Sequence, residues 1–553
     1  MAIEQRIFRV RRNYNKWVAN QTLEDFALRF TGKAARRWSA GRVANTALGA
    51  ISFLALEAIG GAITLNYGFT NAVAAIAVVS AVIFLLGLPV SYYAARYGVD
   101  IDLLTRGAGF GYLGSTLTSL IYASFTFIFF ALEAAIMAMA LEVLFGLPLT
   151  LGYVVSSLVA IPLVTHGITY ISRFQLWTQP VWVVLQLAPF VFILFQDPES
   201  LSRWQGFDGA MGGDGAFNLV LFGAAATVMF SLVAQIGEQV DFLRFMPEPG
   251  PERKQRRRWW LAMLAGGPGW IIVGGLKALA GSFLAVLAFS HGLPHSQAQE
   301  PMHMYLVAFS HITAHPATLM ALAGIFVVLS QLKINVTNAY AGSIAWSNFF
   351  SRLTHSHPGR VVWLVFNVMI ALVLMEIGIY RAFESILGSY AMVAVAWIGA
   401  LVADLVINKP LGLSPKGIEF KRAYLYDINP VGFGAMVMAT LVGLVARSGF
   451  WGGDAESLAS FLALLTAFVA SPLIALLTDG RYYIARTPEP ATATRGRPCC
   501  ICEHRFDDED MAFCPAYNGP ICSLCCSLDA RCNDACKHHA RFQEQLMDWL
   551  GGI

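Results

Sequence analysis

Runs of about twenty apolar residues recur along most of this chain, separated by short polar joins, and they decide what it can become. A helix needs about 20 mostly apolar residues to cross the hydrocarbon core of a bilayer. Twelve candidates are read, numbered here as spans 1 to 12: 43–67, 70–96, 112–145, 149–165, 174–195, 216–243, 259–291, 316–346, 361–379, 383–407, 430–447 and 456–479. Several exceed the minimum and are expected to tilt or to run past the lipid. Composition agrees. The chain is 56% hydrophobic and 13% charged, where a soluble domain carries roughly a quarter charged residues. The expected fold class is an all-α polytopic membrane protein with a small cysteine-rich domain attached.

Loop charge orients the spans. Lys and Arg collect on the cytoplasmic side of membrane proteins. Here they mark the N-terminus (Arg6, Arg9, Arg11, Arg12) and the join after span 6 (Arg253, Lys254, Arg256, Arg257, Arg258). They also mark the joins after span 8 (Arg352, Arg360) and span 10 (Lys409, Lys416, Lys421, Arg422). The alternate joins are short or acidic, as in DPESLSRWQGFDGAMGGDG and GGDAES. Even-numbered spans therefore end in the cytoplasm, and both termini are expected there, in a bacterial inner membrane. The Arg253–Arg258 run is explained by this rule, so no nucleic-acid partner is expected, and nothing in the chain points to an enzyme. The expected organisation is a cytoplasmic amphipathic segment (1–40), a twelve-helix membrane domain (41–482), a linker (483–498) and a cytoplasmic cysteine-rich module (499–553).

Charge inside a span costs about 2.5–3.5 kcal/mol on insertion scales and marks function by default. Span 1 holds Glu57 just before Gly60-Gly61, and span 3 holds Glu133. Span 6 carries Ser231, Gln235 and Glu238 ahead of Asp241 and Arg244; span 8 carries Lys333, Asn335, Thr337 and Asn338. Asp241 and Arg244 are read as a structural ion pair. For Glu57, Glu133 and Lys333 a buried site or a coupling role is expected, with Lys333 paired to one of the two acids. The glycine pair marks either an unwound helix facing a cavity or close helix packing.

All nine cysteines lie between Cys499 and Cys536. Cys499-x2-Cys502 followed by Cys522-x2-Cys525 has the spacing of a four-cysteine zinc site. In a reducing cytoplasm disulfides are not expected, and zinc can supply the folding energy of a module too small for a core. A second zinc site from Cys514, Cys526, Cys532 and Cys536 is the further expectation, with His504, His538 or His539 as substitutes. An iron–sulfur cluster is the rival. HHARFQEQLMDWL after them reads as a short helix that passes on a signal or docks a partner.

SYYAARYGVDIDLLTRGAGFGYLGS, between spans 2 and 3, resembles the corresponding segment of the nucleobase:cation symporter family of cytosine, purine and hydantoin permeases. Gly60-Gly61, Asp241-Phe-Leu-Arg-Phe245, NVTNAYAGSIAWSN, ALVADLVINKP and DGRYYIAR agree in order and spacing, over about residues 40–487. The resemblance implies a leucine-transporter-like fold of two inverted five-helix repeats, with spans 1 and 6 broken and a site between spans 1, 3, 6 and 8. It implies substrate contacts from Phe53, Phe129, Glu133, Asn335, Ser231 and Leu232, with Glu57, Thr126, Gln235 and Thr337 in the same group. Leu232 departs from the family, which often has an aromatic there. Lys333 departs further: it stands where sodium-coupled members carry a hydroxyl, so its ammonium would replace the ion. The expected function is binding or transport of a small nitrogen-containing solute by alternating access, without sodium.

RNYNKWVANQTLEDFALRFTGKAARRWS and the cysteine tail resemble segments of bacterial sensors in which such a permease domain precedes a histidine kinase. This implies a second function, a sensory input module with a cytoplasmic signalling partner. No phosphoacceptor-helix or ATP-binding signature lies in the last fifty residues.

Overall fold

A computed structural model describes residues 24–212, 215–488, 496–529 and 531–551. The arginines at 6–12 and residues 489–495 of the 483–498 linker lie outside the described residues. Among the described residues nine helices are long and apolar enough to cross a membrane, which makes the chain a multi-pass membrane protein. One of them, Ala55–Tyr97, spans 43 residues and contains a break at Gly68, where φ is 81°. Only glycine adopts that conformation without strain. The chain reverses there. Before the break Ser52 meets Lys277 and Gly61 faces Ala285, so spans 1 and 7 run together; after it Ser80 faces Gly275 and Gly87 faces Pro268, so spans 2 and 7 run opposite. Two further apolar helices are shorter than the nine: Leu149–Thr165, in span 4, and Arg360–Glu376, in span 9.

Span 1 is not one helix. Ala40–Gly49, capped by the Ser39 hydroxyl, stops before Ile51, and the helix restarts at Ala55. Span 6 keeps its direction but tightens to a 3-10 turn over Ser231–Ala234, between Leu219–Phe230 and Gln235–Leu243. Span 7 bends between Arg253–Gly266 and Trp270–Ser290. Spans 6 and 7 pack along spans 1 and 2. Span 8 (Pro316–Thr354) lies on span 3 (Gly114–Phe145), with span 9 against both. Spans 10 (Phe383–Ala403), 11 (Pro430–Arg447) and 12 (Ala459–Leu477) form a third group.

The tail is a hairpin of β1 (Met511–Cys514) and β2 (Gly519–Cys522), a short helix Ser523–Leu528 and a final helix Phe542–Gly551. It is not held by a linker alone. Its apolar core is shared with Leu28, Ala423 and Tyr424. Arg422 pairs with Asp534 at 2.8 Å and donates to the carbonyls of Cys526, Ser527 and Asp529. Ile428 and Gln545 exchange two hydrogen bonds. The tail thus sits on the end of the bundle that carries Arg352, Lys409 and Arg422.

Candidate functional site

The gap in span 1 leaves backbone groups without helical partners, and neighbouring side chains meet them. The Glu133 carboxylate on span 3 accepts from the Leu54 and Ala55 N–H groups at 3.2 Å each. Gln331 on span 8 accepts from Leu54 N at 3.3 Å. The Ser52 hydroxyl donates to the Ser330 carbonyl at 2.9 Å. An anionic side chain at a helix N-terminus also meets the positive end of the helix dipole. Glu133 is therefore engaged in holding span 1 open. Replacing it by alanine strands the buried Ala55 N–H and leaves Leu54 N with Gln331 alone, and an unsatisfied buried donor costs about 1–3 kcal/mol. Glu133→Ala is expected to lower the thermal midpoint in detergent, and Glu133→Gln, which keeps one acceptor, to lower it less; equal losses would assign the effect to the charge alone.

Glu57, two residues past the restart, is fully buried. Its partner is Lys277 on span 7, at 2.6 Å. Lys277 also reaches the Ser52 carbonyl at 3.4 Å and Gln186 of span 5 (Ile168–Gln196) at 3.2 Å, while Tyr305 donates to Glu57 at 3.2 Å. The approach is set by glycine. A β-carbon at Gly281 would lie 2.2 Å from the Glu57 backbone, and one at Gly60 would lie 1.9 Å from the Ala278 carbonyl oxygen. Gly60-Gly61 therefore serves close packing, and the break lies upstream of it. Lys277 escaped the sequence reading, although a lone lysine in GGLKALAG, in the middle of an apolar run, is itself a signal.

Lys333 does not pair with Glu57 or Glu133, contrary to expectation. It faces span 5, donating to Gln175 Oε1 at 2.6 Å and Thr178 Oγ1 at 3.0 Å, and the Gln175 amide returns a bond to the Lys333 carbonyl at 2.8 Å. The reason is rotational. Gln331 points at the span 1 break, and a residue two positions on lies about 160° away from it, opposite rather than beside. Asp241 and Arg244 do not form the expected pair either: Arg244 pairs with Asp100 at 3.2 Å, and Tyr122 donates to Asp241 at 2.8 Å.

Below the break lies a buried polar seam. Gln331, Asn335 and Asn338 follow one face of span 8 at i, i+4 and i+7. The side-chain oxygen and nitrogen of both asparagines are buried and meet no hydrogen-bond partner. Glu238 on span 6 is also buried; Thr337 and Gln235 stand beside it, without a hydrogen bond of normal geometry. Buried polar groups are normally satisfied by protein, water or ligand. Phe53 and Phe129 cross the same region edge to face, ring centres 6.3 Å apart. The structure thus brings Phe53, Phe129 and Glu133 to the break, and it puts Asn335 on the same face of span 8 as Gln331. Thr126 turns elsewhere, its hydroxyl 3.2 Å from Asn367 of span 9. Ser231 bonds its own turn at the Val228 carbonyl, and the Ser231–Ala234 turn packs on span 10.

In the tail, the sulfurs of Cys499, Cys502, Cys522 and Cys525 all lie within 4.8 Å of one another and are buried. The Cys522 and Cys525 N–H groups donate to the sulfurs of Cys499 and Cys522 at 3.4 Å. Four sulfurs at that spacing can hold a metal ion. Cys514, Cys526, Cys532 and Cys536 line a separate small cavity, and burial pushes the Cys514 thiol up to about 11.

No protein-family model and no curated protein matches the chain. Solved structures do. Mhp1, a nucleobase-cation-symport-1 family transporter, in a closed conformation with bromovinylhydantoin bound, superposes with a TM-score of 0.61 at 16% identity, over 84% of this chain and 96% of that one. The inward-facing conformation of Mhp1 gives 0.58 at 17% identity, over 86% and 100%. The chain shares the fold of Mhp1. A Na+-coupled sialic acid symporter in a substrate-bound outward-open state is similar at 0.52 and 13% identity, over 84% and 94%.

Proposed function

We propose that the chain is a permease-like protein of twelve membrane passes, built as two inverted five-helix repeats, that binds a small nitrogen-containing solute and moves it by alternating access. The observation that carries this reading is the unpartnered pair Asn335 and Asn338, buried on the span 8 face that leads from the span 1 break. An amide offers a donor and an acceptor together, the complement of the edge of a nucleobase, hydantoin or ureide. Phe53 and Phe129 supply an apolar wall beside the break. The twelve passes are the nine long helices with Ala55–Tyr97 counted as two limbs, plus Leu149–Thr165 and Arg360–Glu376. The charge pattern puts both termini in the cytoplasm of a bacterial inner membrane.

Independence from sodium rests on Lys277 rather than on Lys333. Its ammonium touches the Ser52 carbonyl at the break and neutralises Glu57, so a fixed cation already ties spans 1, 5 and 7. The test is calorimetric binding of a hydantoin and nucleobase panel to the purified protein. At least one member is expected to bind, with affinity flat against sodium at constant ionic strength. Asn335→Ala is expected to weaken it at least tenfold, about 1.4 kcal/mol. A panel with no binder overturns the solute class; a steep sodium dependence overturns the role of Lys277.

A second reading, a sensory input module, is favoured by the placement of the tail. It touches Tyr112 before span 3, His355 after span 8 and Arg422 after span 10. Relative movement of those ends would be felt by the tail and passed to a cytoplasmic partner such as a kinase. In both readings the Cys499 set holds zinc.

A further inference from the structure

The hairpin of the tail separates its cysteines into two groups. In the β1–β2 register Cys522 stands opposite Met511, and Cys514 stands opposite Gly519. The two therefore lie at opposite ends of the ladder, about 10 Å apart along the strands. Cys522 belongs to the set whose sulfurs converge within 4.8 Å; Cys514 cannot reach it. The helix that follows repeats the division. Cys525 and Cys526 are consecutive on Ser523–Leu528 and point about 100° apart, the first to the converged set and the second to a different cavity. Cys532 and Cys536 close the arrangement. Between them Asn533 and Asp534 adopt left-handed backbone, with φ of 44° and 52°, and the Ala535 N–H bonds back to the Cys532 carbonyl at 3.0 Å. This tight loop turns both thiols to the cavity that Cys514 and Cys526 already line. The cavity measures about 10 Å³, room for one water or one ion.

We propose a second metal site in the tail, a four-thiolate zinc centre formed by Cys514, Cys526, Cys532 and Cys536 and interleaved in sequence with the Cys499 set. It deepens the zinc reading of the tail without resting on the first set. Zinc takes four thiolates at about 2.3 Å in a tetrahedral shell. Among the described residues only the first set is already drawn within 4.8 Å, so binding pulls the second four inward and releases their protons. No redox step is involved. The site also orders the surface that docks the tail. Asp534, inside the Cys532–Cys536 loop, is the residue that pairs with Arg422 at 2.8 Å and with Lys537 at 3.5 Å. His539 turns instead to Asp548, at 3.2 Å.

Native mass spectrometry of the full chain, purified in detergent with zinc and reductant, reads the stoichiometry. Two zinc ions per chain are expected for the wild type, and one for the Cys514→Ser/Cys532→Ser double variant. One ion in both would overturn the second site and leave the first; none in the wild type would overturn both. Alkylation of the unaltered protein with iodoacetamide gives an answer that does not depend on a variant folding. Cys514, Cys526, Cys532 and Cys536 are expected to be protected until a chelator is added, with Cys500, outside both sets, as the internal control. Labelling of those four at zinc saturation, or a disulfide joining two of them, would overturn the proposal.

Discussion

Lys277→Met is expected to destabilise the membrane domain by about 3–5 kcal/mol, because removing one partner of a buried ion pair leaves the other charge uncompensated. Glu57 is fully buried, and Lys277 is its salt-bridge partner at 2.6 Å. The loss reaches the span 1 break as well, since the same ammonium meets the Ser52 carbonyl. Glu57→Gln/Lys277→Met is expected to recover most of the stability: replacing both members of a buried pair with neutral groups of similar volume is often near neutral. Thermal or denaturant midpoints in mild detergent measure this, with the two single variants and the double forming a cycle. If the double variant is no more stable than Lys277→Met, the pair is not coupled. A double variant that folds yet becomes sodium-dependent in ligand binding would tie the ammonium directly to the cation's place.

Removal of metal from the Cys499 set is expected to unfold the tail and leave the membrane helices intact. Structural zinc contributes about 10–16 kcal/mol of apparent binding energy in small zinc domains, more than a module of this size draws from its core. Cys522 is the most telling ligand position. It ends β2, caps helix Ser523–Leu528 and accepts from the Cys525 N–H. Cys522→Ser, or chelation of the wild type, is expected to make residues 496–551 sensitive to limited proteolysis while the spans remain protected. The docking contacts should be lost too, so the 409–429 loop, which holds Arg422 and Asp427 against the tail, becomes cleavable. A tail that resists protease in excess chelator would mean that its shared core with Leu28, Ala423 and Tyr424 suffices without metal.

Much of the architecture was legible in the residues. The apolar runs of spans 3, 5, 8, 10, 11 and 12 return as helices, because in lipid a backbone with no water must bond within its own segment. The likeness to a symporter family read from SYYAARYGVDIDLLTRGAGFGYLGS returns as a shared fold. The Cys499-x2-Cys502 and Cys522-x2-Cys525 pairs converge as their spacing requires. The boundary drawn between spans 1 and 2, after residue 67, falls on the break at Gly68 inside Ala55–Tyr97. Breaks inside spans were less legible: nothing in the residues placed the gap of span 1 between Gly49 and Ala55.

Partners were the illegible part. The sequence marked Glu57, Glu133 and Lys333 as buried charges but could not pair them, because pairing depends on helix rotation and on which helices adjoin. Glu57 chose Lys277, brought close by glycines on both helices. Glu133 chose two backbone N–H groups that exist as free donors only because span 1 is broken. Lys333, half a turn round from Gln331, chose Gln175 and Thr178. Arg244 likewise passed over Asp241, three residues away on its own helix, for Asp100.

By itself the sequence determined that this chain is a helical membrane protein with a thiol-rich appendage. Hydropathy, loop charge and ligand spacing are local quantities, and each is set by a few consecutive residues. Only the tertiary structure decided where span 1 opens, which cation stands at the opening, and that the tail is seated on the loops after spans 8 and 10. Those outcomes turn on distances of a few ångströms between segments far apart in the chain, through glycine contacts, hydrogen bonds and ion pairs whose energies fall steeply with separation and angle.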